Sequence, residues 1–155
     1  MYNKAQEHLR ILSGFYGILR PLDLILPYRL KFATKLETGR YKDLYSYWNN
    51  HLNRSLFDLK NRGGNHILVN LASAECYKAI DVQSSGFIVI TPVFKEFRNG
   101  EYRFFSMFGK RARGLMARYI IEKRISDPEQ MKLFDVQGYS FNAPFSVDRQ
   151  WVFTR

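Results

Sequence analysis

Asn99-Gly100 separates two runs rich in β-branched and aromatic residues, FIVITPVFKEF at 87–97 and EYRFFSMF at 101–108. Asn-Gly tolerates the positive backbone angles of a two-residue hairpin turn, so the spacing predicts an antiparallel strand pair. Directly after it, residues 108–124 read FGKRARGLMARYIIEKR, whose apolar positions recur at helical rather than strand spacing. A strand pair feeding a helix requires a fold that mixes both element types.

The remaining chain fits that frame. Residues 4–12 begin helix-like and end strand-like, close to Met1, and 13–30 (SGFYGILRPLDLILPYRL) combine glycine, proline and aromatics without a period. Turns and short extended pieces are expected there. Leu44, Tyr47, Trp48, Leu52, Leu56 and Leu59 form one apolar stripe, which predicts a helix over 43–59, stopped by NRGGN. HILVNLA (66–72) reads as a short buried strand, and Ser73 can cap a helix carrying Ala74 to Ala79. After the basic segment, Asp127 as cap, Pro128 at the first helical position and Gln130 predict another helix start, and strands are expected near 137–141 and 150–154.

Residues 108–124 hold six bases, Lys110, Arg111, Arg113, Arg118, Lys123 and Arg124, against one acid, Glu122. Half of the chain's formal net charge of +10 thus sits in 17 of its 155 residues. At 100° per residue Ala112, Leu115, Met116, Tyr119 and Ile120 share one arc, and Arg113, Arg124, Lys110, Arg118 and Arg111 the opposite one. Gly114 and Ala117 sit among these bases and leave room for a phosphate between guanidiniums, which bind phosphate bidentately. A solvated face usually mixes signs, because like charges one turn apart repel. The two readings, an anion or nucleic-acid surface and a bland solvated face, both stand on sequence alone.

Composition bounds the rest. One domain over 1–155 suits the length, and 46% hydrophobic and 16% aromatic residues support a real core. Cys76 is the only cysteine, and no leader-like segment or bilayer-length apolar run occurs, so a cytoplasmic monomer without membrane contact is expected. His8, His51 and His66 stand isolated from other ligand types, so neither a metal nor a cofactor is expected. Asn70, Ser73, Glu75 and Lys78 lie where a strand ends and a helix opens, a place ligands favour, although a capped helix with surface charges is the favoured explanation of them. Arg20, Asp23, Tyr28 and Arg29 in LRPLDLILPYRL read either as a buried ion pair bracing the loop or as part of a cleft.

HLRILSGFYGILRPLDLILPYRL, KDLYSYW, NLASAECYK, KRARGLMARYIIEKR, GYSF and the terminal VFTR occur in an order that resembles the YaaA family of bacterial peroxide-stress proteins. The resemblance runs over essentially the whole chain. Family members carry a further N-terminal segment with a Pro-Ala-Lys motif that has no counterpart here, so the chain resembles the C-terminal part of that fold. Lys31, Asn49 and Cys76 depart from the family's usual residues, and Arg111 replaces a lysine.

The resemblance implies a mixed α/β domain, its sheet flanked by helices, with a basic cleft that binds double-stranded DNA. It also implies a role in hydrogen peroxide stress through lowering free intracellular iron. On this reading Lys110, Arg111, Arg113, Arg118 and Arg124 contact phosphates, Arg20 and Arg29 line the same cleft, and Tyr28, Asn70 and Ser73 supply polar groups. The alternative is an enzyme acting on a nucleotide, a nucleic-acid lesion or another phosphorylated ligand, with Asp23, Glu75 and Lys78 as its acid/base candidates.

Overall fold

The computed structural model of the chain describes residues 2–37, 39–61 and 66–155. Its elements follow the order α1 (Tyr2–His8), β1 (Ile11–Ser13), β2 (Gly17–Leu19), α2 (Leu44–Asn61), β3 (Ile67–Val69), α3 (Ala74–Tyr77), α4 (Val82–Ser85), β4 (Ile88–Arg98), β5 (Glu101–Arg103), α5 (Ser106–Glu122), β6 (Ser140–Phe141) and β7 (Gln150–Thr154). Short 3-10 turns occupy Pro128–Leu133, Val136–Gly138 and Ala143–Phe145. The fold is mixed α/β, and the chain divides into two compact units.

The first unit contains Ile67–Leu71 and Val89–Arg155. Its sheet has the order β3-β4-β7-β6, with β5 also on β4. β4 runs parallel to β7 and antiparallel to β5, and β6 is antiparallel to β7, so the sheet is mixed. Along β4 burial alternates strictly, with Ile90, Pro92, Phe94 and Glu96 turned inward. Pro92 survives inside this strand because of its neighbours. The N–H groups of Thr91 and Phe97 bond toward β7, which points the even-numbered residues the other way. On that side the Asn70 N–H reaches the Ile90 carbonyl, and β5 pairs only from Glu96 onward, so the missing proline donor falls in the gap between them.

Helix α5 closes this core. Ala112 and Met116 are fully buried with Phe94, Met131, Phe134 and Phe153, and Leu115, Tyr119 and Ile120 pack at the margin, as the helical spacing predicts. Phe94 stacks on Phe153 at 5.4 Å between ring centroids, and Phe134 meets Phe153 edge-on at 5.8 Å. Full burial of a phenylalanine contributes roughly 1.5–3 kcal/mol, so these rings carry much of the unit's stability.

The second unit contains the described residues of 2–66 together with Ala72–Ile88. β1 and β2 form a small antiparallel hairpin with Ser13 opposite Gly17. Helix α2 buries Leu44, Leu52 and Leu56, three members of the predicted stripe. Phe32, Leu52 and Ala79 form the centre, with Leu12, Ile18, Tyr45, Trp48 and Cys76 around them. Trp48 donates its indole N–H to the Gly14 carbonyl at 2.9 Å.

Four expectations change on inspection. Phe104–Phe108 does not extend the hairpin: β5 ends at Arg103 and α5 begins at Ser106, because Phe105 takes the extended position before the helix. β3 is half-buried rather than buried, since it forms one edge of its sheet. The helix opened by Asp127 and Pro128 is a six-residue 3-10 helix rather than an α-helix, with Asp127 accepting the Glu129 N–H at 3.0 Å as the expected cap. The Arg20–Asp23 pair is exposed, not buried. Of the expected helix stop NRGGN, residues 62–65 lie outside the described residues.

Candidate nucleic-acid interface

Burial of Ala112 and Met116 fixes the rotation of α5 and thereby its outer face. Lys110, Arg111, Gly114 and Arg118 are exposed on it. A Cβ added at Gly114 would meet nothing within 4 Å, so the helix backbone there is open to an approaching group. The surrounding charges are not equivalent. Arg118 spans one turn to Glu122, Nε to Oε1 at 2.8 Å, and Glu122 is the acid that interrupts the positive face. Arg113 is half-buried and folds back along the helix, its Nε donating to the Gly109 carbonyl at 3.2 Å.

Arg124 falls beyond the helix, which ends at Glu122, and takes a positive φ of 52°. Lys123 and Arg124 both lie where the helix leaves carbonyls exposed, and positive charge is favourable there irrespective of any ligand. The helical wheel treats all five bases alike. The structure sorts them into Lys110 and Arg111, exposed on the open face, Arg118, exposed but paired, Arg113, drawn inward, and Arg124, a helix-end charge.

The other candidate residues have local roles. Asn70 belongs to the sheet unit, where its side-chain amide donates to Thr91 Oγ1 at 3.5 Å. In the second unit Ser73 caps α3 by accepting the Cys76 N–H at 3.2 Å, as its sequence position suggests. Glu75 accepts the Ala33 N–H at 3.2 Å, and the Lys78 ammonium lies 5.0 Å from the centre of the Tyr45 ring. Tyr28 donates to Ser13 Oγ at 2.6 Å. Asp23 accepts the Arg20 N–H at 2.8 Å and pairs with its guanidinium at 3.1 Å; that backbone hydrogen bond, aided by the guanidinium, holds its carboxyl below the usual range. Arg29 is exposed. Among the described residues no three of His, Cys, Asp and Glu cluster in a way that could hold a metal ion, and no helix is long and apolar enough to cross a membrane.

Sequence reasoning missed one polar cluster, in the sheet unit. Glu96 points into the core at 4% exposure, where it accepts the Tyr139 hydroxyl and the Arg155 Nε, the latter 2.9 Å from each oxygen. The Arg155 guanidinium also lies 4.7 Å from the Tyr139 ring centre and donates to the Gln137 carbonyl at 3.1 Å. Burial, then the bond to Glu96, pushes the Tyr139 phenol well above its usual value. A glutamate at an inward position of FIVITPVFKEF was the available signal, because a buried carboxylate demands partners.

Comparison with known proteins agrees with the motif order. The family model described as peroxide stress protein YaaA matches residues 1–144. A UPF0246 protein of Ralstonia pickettii is 50% identical over 151 residues, covering 97% of this chain and 59% of the relative. One from Magnetococcus marinus shows the same identity and coverage, and one from Teredinibacter turnerae is 46% identical over 154 residues, covering 99% of this chain and 60% of its own length. This chain therefore spans about three-fifths of the curated relatives it matches. With the match running nearly end to end, the chain belongs to the peroxide stress protein YaaA family.

Proposed function

We propose that the chain binds double-stranded DNA through the outer face of α5, as part of a peroxide-stress response that limits oxidative damage by lowering free intracellular iron. The observation that carries the DNA reading is the exposure of Lys110, Arg111 and Arg118 around the open backbone at Gly114. Exposed cations around a bare stretch of helix suit a phosphate backbone, which needs charge and close approach and no base-specific groups. Arg113 and Arg124 complete the set of candidate phosphate ligands on this segment. The peroxide component draws its support from the family's description as peroxide stress proteins, and the iron component from the sequence resemblance alone.

The test is fluorescence anisotropy of a labelled duplex across a salt series, with wild type beside a Lys110→Glu/Arg111→Glu variant whose fold is verified by circular dichroism. Five phosphate contacts give a log-log salt slope of roughly −4.5, at about −0.9 per contact. The variant is expected to lose most of the affinity and about two contacts' worth of slope. Binding that ignores both salt and these substitutions refutes the reading.

A further inference from the structure

The loop between β2 and α2 presents aliphatic side chains to solvent. Leu24 is 100% exposed, Leu26 76%, Leu22 55% and Ile25 49%, with Phe15 beside them at 54%. Aliphatic residues on a mobile loop would need no explanation. This loop is held in one shape. Tyr16 Oη accepts the Leu26 N–H at 3.0 Å and lies 3.4 Å from the Leu26 carbonyl, so one phenol clasps both backbone groups of that residue. Gln6 accepts the Leu22 N–H at 2.9 Å, and Asp23 closes the turn at Arg20. Phe15, Tyr16 and Tyr28 pack against one another beneath it, with ring centroids 4.9–5.6 Å apart.

Polar contacts thus fix the backbone while the leucines point outward, the reverse of what a solvent-facing loop requires. A preorganised apolar surface of this kind marks an interface, because the ordering cost is met before the partner arrives. The length comparison supplies an occupant to propose. The aligned 151 residues make up 59% of the Ralstonia pickettii relative, so about two-fifths of that relative lies outside the match. We propose that the apolar face formed by Leu22, Leu24, Ile25 and Leu26 is the docking surface for that remaining part of the family's chain. The proposal is independent of the DNA reading.

To test it, the unmatched part of the Ralstonia pickettii relative is joined to this chain in the order the relative's sequence dictates, and hydrogen exchange is followed at residues 22–28. The amides of Leu24 and Ile25 are expected to slow by roughly tenfold or more in the fusion relative to the chain alone. A Leu24→Asp/Leu26→Asp variant should lower the unfolding midpoint of the fusion and leave that of the chain alone unchanged. Equal exchange in the two proteins overturns the proposal, as does an equal effect of the variant on both. Slowing that appears in the chain alone as its concentration rises assigns the face to a second copy and overturns it as well.

Discussion

Tyr139 hydrogen-bonds the carboxylate of Glu96 from one side while Arg155, the last residue of the chain, grips both of its oxygens from another. The three residues lie 43 and 59 positions apart in sequence, so the cluster ties strand β4 to the segment before β6 and to the residue following β7. Burying a carboxylate is costly, and removing one of its partners leaves the remaining charge uncompensated.

Arg155→Ala is expected to destabilise the protein by about 3 kcal/mol, at the lower end of the range for a broken buried pair because Arg155 is itself 29% exposed. Combining it with Glu96→Gln should recover a large part of the loss, since the charge that lacked a partner is then gone. Urea unfolding of the two single variants and the double variant measures the coupling. Additive losses would show that the pair contributes little beyond its separate packing.

The raised Tyr139 phenol has a pH consequence of definite sign. A group whose folded pKa lies above its unfolded value contributes stability that is fully present below the unfolded value, about 10 here, and is lost as pH rises toward the folded one. Stability should therefore fall as pH rises above about 10. In Tyr139→Phe that alkaline decline should be shallower, and near neutrality the variant should lose about 1–3 kcal/mol because Glu96 forfeits a donor. Chemical denaturation at pH 8 and at pH 11 separates the two effects; parallel declines in wild type and variant would assign the alkaline loss to other groups.

Two glycines call for opposite outcomes. Gly17 has a φ of +76°, and a Cβ there would lie 2.5 Å from the Trp48 ring, so Gly17→Ala combines backbone strain with overlap and should cost about 1–3 kcal/mol. Gly114 lies within α5 at a negative φ with open space around it, and Gly114→Ala should stabilise by about 0.5–1 kcal/mol. Thermal melts of both variants test the pair, and Trp48 fluorescence should shift only in the first.

Local signals reached part of this architecture. Leu44, Leu52 and Leu56 sit on the face their spacing assigns, and Asn99 and Gly100 adopt the positive φ values, 53° and 84°, that make Asn-Gly a hairpin turn. Phe104–Phe108 misled because aromatic residues favour strands on average. Here Phe104 instead lies over Gly109, where a Cβ would stand 2.7 Å from its ring, and no side-chain cap at Phe105 marks the helix start. The inward Glu96 was readable, but its partners Tyr139 and Arg155 were not, because they come from distant parts of the chain. On α5 the angular position of each base was readable, whereas the inward fold of Arg113 and the pairing of Arg118 with Glu122 depend on rotamers that periodicity does not specify.

That last pairing supplies the sharpest test of the DNA reading. Glu122 occupies Arg118 and places one negative charge on an otherwise positive face. The pair is solvent-exposed, so Glu122→Gln should change stability by no more than about 0.5 kcal/mol. If the face of α5 contacts phosphates, the substitution releases Arg118 and removes a repulsive charge, so duplex affinity should rise several-fold at low salt and the salt slope should steepen by up to about 0.9. Arg118→Gln should do the reverse, weakening binding while leaving the fold intact. Anisotropy titrations at two salt concentrations suffice to measure both variants. Unchanged affinity in both, with wild type still binding, would move the DNA site away from this helix.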